Sequence, residues 1–393
     1  MYSQWLSFFY ATSAFFAILE SMNLRLGFLC FILASFIQVN AQISNEVLED
    51  KILVNAKDSG LFGFSLLNTN YMRNTEYFNP IEEGRTLFGY QLQPKFTYQP
   101  SANIAIEAGV WLRHDFGGNN PYTTALPTFS VKATQGNMQL VFGTLQGSLS
   151  HGMLEPMMNI NSIIDKRIEN GFQFKYTPKK FYLETWINWE NFIQPNEFNK
   201  ERFTAGINSK VYLKKSEDES LNLYYQFMAS HQGGQIDSDT IDPFMMQFNQ
   251  ALGIRYTRKM APKFSVLLDA AYLNYTETSD SKVNPFTNGM GVFANAGITY
   301  SKTDFMFSYW NATNFIAPRG TYIYQSHSTV DSKNYEENRQ LIFFRIIHNK
   351  PLFNSPITAS ARFEPVYDLN NGIFDFSYSL YLVYRGDWHF GKK

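Results

Sequence analysis

Between positions 104 and 112 every second residue is apolar: Ile104, Ile106, Ala108, Val110 and Leu112, with Glu107, Gly109, Trp111, Arg113 and Asp115 on the alternate positions. Successive side chains of a strand point to opposite faces, so one face is hydrocarbon and the other carries charge. A run of this length fits a strand of ~9–11 residues crossing a bilayer, with lipid outside and a wet lumen inside. The period then recurs. Residues 86–98 set Phe88, Tyr90, Leu92, Pro94, Phe96 and Tyr98 against Gln91, Gln93, Lys95 and Thr97. The same reading predicts strands over 122–134, 138–146, 167–177, 181–190, 202–214, 221–232, 245–259, 264–276, 287–300, 304–313, 338–348, 357–367 and 373–385.

The connections take turns. Short ones (99–102, 135–137, 177–180, 215–220, 260–263, 301–303, 349–356) alternate with mostly longer ones (116–121, 147–166, 191–200, 233–244, 277–286, 314–337 and the brief 368–372). That alternation is what an antiparallel, up-and-down transmembrane β-barrel requires, with tight turns on the periplasmic side and loops outside. An even strand number promotes the weaker segment 60–69 to first strand, giving about sixteen, with fourteen or eighteen as alternatives. After 69 the sequence reads as polar connection as far as Arg85.

The N-terminus adds a processing signal. Arg25 precedes an apolar run, Leu26 to Ile37, and then Val39-Asn40-Ala41, the order of a secretory signal peptide over 22–41. Residues 1–21 then read as an over-called start, 42–59 as a short periplasmic segment and 60–393 as the barrel. The only cysteine, Cys30, lies in the apolar run. Aromatic residues make up 17% of the chain, yet the net charge is −1, which fits interleaved apolar and polar positions and gives no reason to expect nucleic acid.

Signal peptide, about sixteen alternating strands and asymmetric connections together resemble the general porins of Gram-negative outer membranes, and the Asn-, Lys- and aromatic-rich composition is similar to outer-membrane proteins of the Bacteroidota. The resemblance implies a diffusion channel in the outer membrane, trimeric assembly, and a third outer loop folded into the lumen. Here that loop is 147–166, with His151, Met153, Leu154, Glu155, Met157 and Met158; its aliphatic side chains favour the inner wall over water, with His151 and Glu155 in the lumen. The chain lacks the general-porin Pro-Glu-Phe-Gly-Gly loop motif and ends at Lys393 rather than in an aromatic residue.

Parity assigns the lumen-facing charges: Lys95, Glu107, Arg113, Lys132, Arg167, Lys175, Glu184, Glu190, Arg202, Lys210, Arg255, Arg345, Arg362, Glu364 and Arg385, with Trp111, Trp186 and Tyr224 as lumen aromatics. The basic excess points to anionic solutes. Ser150-His151 is adjacent in sequence, poor geometry for a nucleophile and its base, and no Gly-x-Ser-x-Gly, His-Glu-x-x-His or phosphate loop occurs. The expectation is therefore a porin-like channel for small hydrophilic solutes, without enzymatic activity or cofactor, with outer-membrane lipid and a homo-oligomer or complex as partners. The alternative is a non-conducting barrel that serves as scaffold or accessory subunit.

Overall fold

The computed structural model describes residues 45–234, 242–279 and 284–391; the segments 1–21 and 22–41 lie outside the described residues. Sixteen antiparallel strands close into one barrel: β1 (Phe62–Glu76), β2 (Thr86–Ser101), β3 (Ile104–Asp115), β4 (Thr124–Gln135), β5 (Met138–Thr144), β6 (Asn170–Tyr176), β7 (Phe181–Asn191), β8 (Glu201–Lys215), β9 (Glu219–Gly233), β10 (Met245–Ala261), β11 (Phe264–Glu277), β12 (Asn288–Tyr300), β13 (Thr303–Thr313), β14 (Asn338–Pro351), β15 (Ile357–Asp368) and β16 (Ile373–Phe390). Each pairs with its sequence neighbours. The seam is β1 against β16, in register from Phe62↔Phe390 to Glu76↔Phe376. Closure leaves no unpaired edge, the condition for a sheet to survive in hydrocarbon.

The alternation is realised as burial. On β2 Gln91, Gln93 and Lys95 are buried inside while Phe88 and Phe96 are exposed outside, and the other strands repeat this apart from the second half of β1. Two strands are longer than the hydrophobic pattern suggests. The last runs through Trp388 to Phe390. The first does not stop at 69 but continues to Glu76, because its inward positions (Tyr71, Arg73, Thr75) remain lumen residues while its outward ones change from apolar to polar.

The lumen is filled from both ends. From the turn side, residues 45–60 run inside the wall, with Leu48 fully buried. From the loop side, the third loop (145–169) and the seventh (314–337) fold inward and share one hydrophobic cluster, Leu154, Met157, Met158, Phe315, Ile316, Ile323 and Tyr324, with the wall residues Trp186, Tyr224, Trp310 and Phe343.

Candidate functional site

The lumen charges hold this filling in place. Lys95 reaches Asp50 at 3.0 Å and Glu107 at 2.8 Å. Lys132 donates to the Ile52 carbonyl and Arg167 to the Leu48 carbonyl, both at 2.8 Å. Arg362 donates to Asn45 Oδ1 (2.7 Å) and Arg385 to the Val47 carbonyl (2.8 Å). Five basic residues read as bait for anions therefore grip an internal strap of the same chain.

The two inturned loops interlock above it. Arg345 donates to Glu155 Oε2 and to the Tyr324 hydroxyl, each at 2.6 Å, and Tyr324 donates to the same carboxylate at 2.8 Å. Glu364 lies 2.9 Å from Arg73 and 3.6 Å from Arg345. Arg319 reaches back from the seventh loop to Glu169 (3.4 Å) and Glu190 (3.2 Å). A Cβ on Gly320 would lie 2.1 Å from the Pro156 carbonyl oxygen, so only glycine lets the loops approach this closely. Over them the first outer loop, 77–85, sends its Glu82 carboxylate to the Ile323 N–H at 2.9 Å; burial pushes this carboxyl up to about 7, against the pull of Arg85 and Arg73.

His151 is the tightest point. Its ring nitrogens each face a carboxylate oxygen at 2.7 Å, Glu184 at Nδ1 and Glu169 at Nε2, and the ring stacks on Trp186 at 3.9 Å between centroids. Burial opposes the charged ring, but the two carboxylates outweigh it and raise its pKa to about 9. Glu184 also lies 3.5 Å from Lys175. Trp186 has room only because Gly206 faces it, where a Cβ would lie 2.2 Å from the indole. Ser150 donates to the Gln146 carbonyl rather than to His151. His151 and Glu155 were expected to hang in the lumen; both are instead locked by partners that only folding brings together. Met153 packs against the loop cluster. Arg113 pairs with Asp115 at 2.8 Å, Arg255 with Asp269 at 3.0 Å and, at the exposed rim, Arg202 with Asp242 at 3.6 Å. Trp111 and Tyr224 are buried inside the wall, and Lys210 lies 5.0 Å over the Tyr182 ring.

The outer wall carries the feature that sequence reading missed. Because β1 keeps its register to Glu76, Asn68, Asn70, Asn74 and Glu76 all fall on the lipid-facing side. Asn74 is the hub. Its Oδ1 accepts the Thr86 hydroxyl at 2.7 Å, and its Nδ2 donates to Glu76 Oε1 at 2.5 Å and to the Tyr378 hydroxyl at 3.1 Å. Three strands contribute in one row, since Asn74 is opposite Thr86 on β2 and Tyr378 on β16. The next outward row towards the bilayer centre is apolar: Leu380, Met72 and Phe88, with Phe116 edge-on to Phe88 at 4.8 Å. A hydrogen-bonded polar cluster thus sits at the outer rim above a hydrocarbon shelf. Among the described residues no three His, Cys, Asp or Glu side chains converge as a metal set.

Residues 54–393 match the model of a protein family described as lipid A 3'-O-deacylase-type. No curated protein matches the chain. Among solved structures it is similar to the outer membrane protein OprD from Pseudomonas aeruginosa (12% identity, 86% of this chain and 97% of that one, TM-score 0.51). It is also similar to in-vitro folded OmpT of Vibrio cholerae in its trimer form (10% identity, 84% and 100% covered, TM-score 0.50). These likenesses are of fold, and they identify a porin-like barrel of the outer membrane. The family match corrects one expectation. A family named for a deacylase overturns the reading of the chain as a barrel without enzymatic activity.

Proposed function

Because the chain belongs to the lipid A 3'-O-deacylase-type family, we propose that it hydrolyses an ester-linked acyl chain of a lipid A-type glycolipid, and that it does so on the outer wall of the barrel rather than in its lumen. The observation that carries this reading is the cluster centred on Asn74. Polar side chains on a lipid-facing strand cost free energy, so a connected set of them at the rim, beside an apolar shelf, calls for a polar partner in the membrane. An acylated glycolipid brings one by lateral diffusion, its ester group at the level of the rim and its chain along Met72 and Phe88. The interlocked loops crowd the lumen, whereas the outer wall faces the lipid directly.

The cluster distributes the roles. Asn74 holds one oxygen of Glu76, which leaves the other to accept a proton from water as general base. Asn74 also donates to the Tyr378 oxygen, which leaves the phenolic O–H to donate to the ester carbonyl and to the oxyanion that forms there. Water adds to the carbonyl carbon, its proton passes to Glu76 and then to the departing sugar alkoxide, and the products are a fatty acid and a free hydroxyl. Thr86 fixes the Asn74 amide in the orientation both contacts need.

Incubating the full chain in mixed micelles with multiply acylated lipid A, followed by mass spectrometry, tests the reading. Loss of one acyl chain is expected, and its loss should stop in Asn74→Leu. Intact lipid A, or equal release by the variant, would sink it.

Passive diffusion of small solutes is a second reading, favoured by cavities of about 440 and 670 Å³ on the turn side of the barrel. The interlocked loops oppose it, and single-channel conductance of the purified chain decides it.

A further inference from the structure

The outer wall carries a second feature, on other strands than the Asn74 cluster and at the other rim. Towards the turn-side ends of β10 to β14, the outward residues Tyr256, Leu268, Ala296, Phe307 and Phe344 stand in one row across the sheet. Ala296 is the short one. Its methyl lies between Leu268 and Phe307, and the notch it leaves is part of a groove of about 340 Å³. The groove opens to lipid, since Leu268, Phe307 and Phe344 are all exposed. Arg258 and Tyr256 line it on the turn side.

These two residues belong to an assembled polar patch. Arg258 lies opposite Glu219 of β9 and donates to the Tyr256 hydroxyl oxygen, and the Tyr256 O–H donates in turn to Glu219 at 3.1 Å. Lys214 of β8 pairs with the same carboxylate. The neighbouring acid, Asp218, is met by Lys259 at 3.5 Å. Arg258 and Lys214 against Glu219 therefore leave this patch with a net charge of +1 where the strands leave the bilayer. In a membrane the groove alone selects nothing, because lipid tails are as apolar as its walls. Selection needs shape and charge in one place. The notch takes an acyl chain, and one phosphodiester, which a guanidinium binds through paired N–H donors, balances the charge of the patch. A headgroup with an ammonium of its own would bring back the repulsion that the phosphate removes. We propose that this groove binds an anionic glycerophospholipid of the periplasmic leaflet, of the phosphatidylglycerol class, with its phosphate on Arg258 and one acyl chain over Ala296. The site is separate from the Asn74 cluster, and neither reading depends on the other.

Native mass spectrometry of the full chain, released from detergent micelles doped with phosphatidylglycerol or phosphatidylethanolamine, tests it. One phosphatidylglycerol per chain is expected to stay bound, at about tenfold lower lipid concentration than phosphatidylethanolamine needs. Ala296→Phe fills the notch and Arg258→Gln removes the charge, and each should raise the phosphatidylglycerol concentration required by about tenfold. Arg258→Lys should keep part of the binding and Asn74→Leu all of it; heat-modifiable migration on gels shows that each variant is folded. Equal retention of the two lipids, or retention indifferent to both Ala296→Phe and Arg258→Gln, would mark ordinary annular lipid and overturn the proposal. So would chains that carry no lipid but associate with one another until Ala296→Phe separates them, which would give the groove to a second copy.

Discussion

Inside the barrel, buried charge is answered group by group: Lys95 by Asp50 and Glu107, Arg345 by Glu155 and Glu364, His151 by Glu169 and Glu184. On the outer face of β1 the situation is reversed. There hydrocarbon side chains would be the stable choice, yet Asn74, Glu76, Thr86 and Tyr378 bond to one another where lipid begins. The lumen residues solve a packing problem set by three inserted segments. The outer cluster holds no inserted segment in place, and Asn74, Glu76 and Thr86 are not the residues that a lipid-facing strand calls for. A polar group that stability does not require is the stronger mark of function.

The sharpest way to break this contrast is to remove chemistry from the outer wall while leaving its shape. Glu76→Gln keeps the hydrogen bond to Asn74 but cannot take a proton. We expect acyl release to fall by about 10²–10⁴, with the barrel's heat-modifiable migration unchanged. A comparable loss of activity from lumen variants, with Glu76→Gln intact, would move the site indoors.

On the lumen side the largest effect should follow from His151→Leu, which leaves Glu169 and Glu184 facing each other without their shared cation. Loss of one member of such a buried set costs about 3–5 kcal/mol. The expected outcome is a lowered urea midpoint and protease access to residues 145–169, while acyl release is retained. A smaller effect is expected of Gly320→Val. Its side chain must push the seventh loop off Pro156, a strain of about 1–3 kcal/mol. Its readout is conductance: steps should appear over a quiet wild-type baseline. Equal conductance in both chains would mean that the loops do not seal the barrel.

The same contrast explains what the sequence disclosed. Strand number, order and inward parity were legible because a two-residue period is local: Lys95, Glu107, Arg362 and Glu364 announce their face by their neighbours. The loop 147–166 was legible as inturned because its aliphatic residues had nowhere else to go. The partners were not. Glu155 meets Arg345 across 190 positions, and Glu82 meets Ile323 across 241, separations on which no periodicity bears. The second half of β1 failed for a different reason. Its outward face breaks the apolar rule at Asn70, Asn74 and Glu76, so the pattern ended at 69 although the backbone ladder runs on to Glu76. The rule failed where the outer cluster lies, as expected when a local preference is given up for function.

Titration of His151 gives the smallest and most selective probe of the lumen. Its folded pKa, about 9, lies above the unfolded value near 6.5, so the protonated ring is the form that folding favours. The stability it contributes is fully present below about pH 6.5 and is lost as pH rises through about 9. The loss should be smaller than in His151→Leu for two reasons. The neutral ring still donates to one carboxylate and still stacks on Trp186, and the carboxylates keep other cations in reach, Arg319 at 3.4 Å from Glu169 and Lys175 at 3.5 Å from Glu184. Glu82, whose pKa is raised to about 7, loses stability in the same direction but lower, between about pH 4.5 and 7, so the two windows separate. Trp186 lies against the imidazole and reports the upper one. The wild-type urea midpoint should fall between about pH 6.5 and 9 and level off above that, the native tryptophan emission should change around pH 9, and both changes should be absent in His151→Leu. A midpoint that falls equally in the variant would assign the alkaline loss to groups other than this buried clamp.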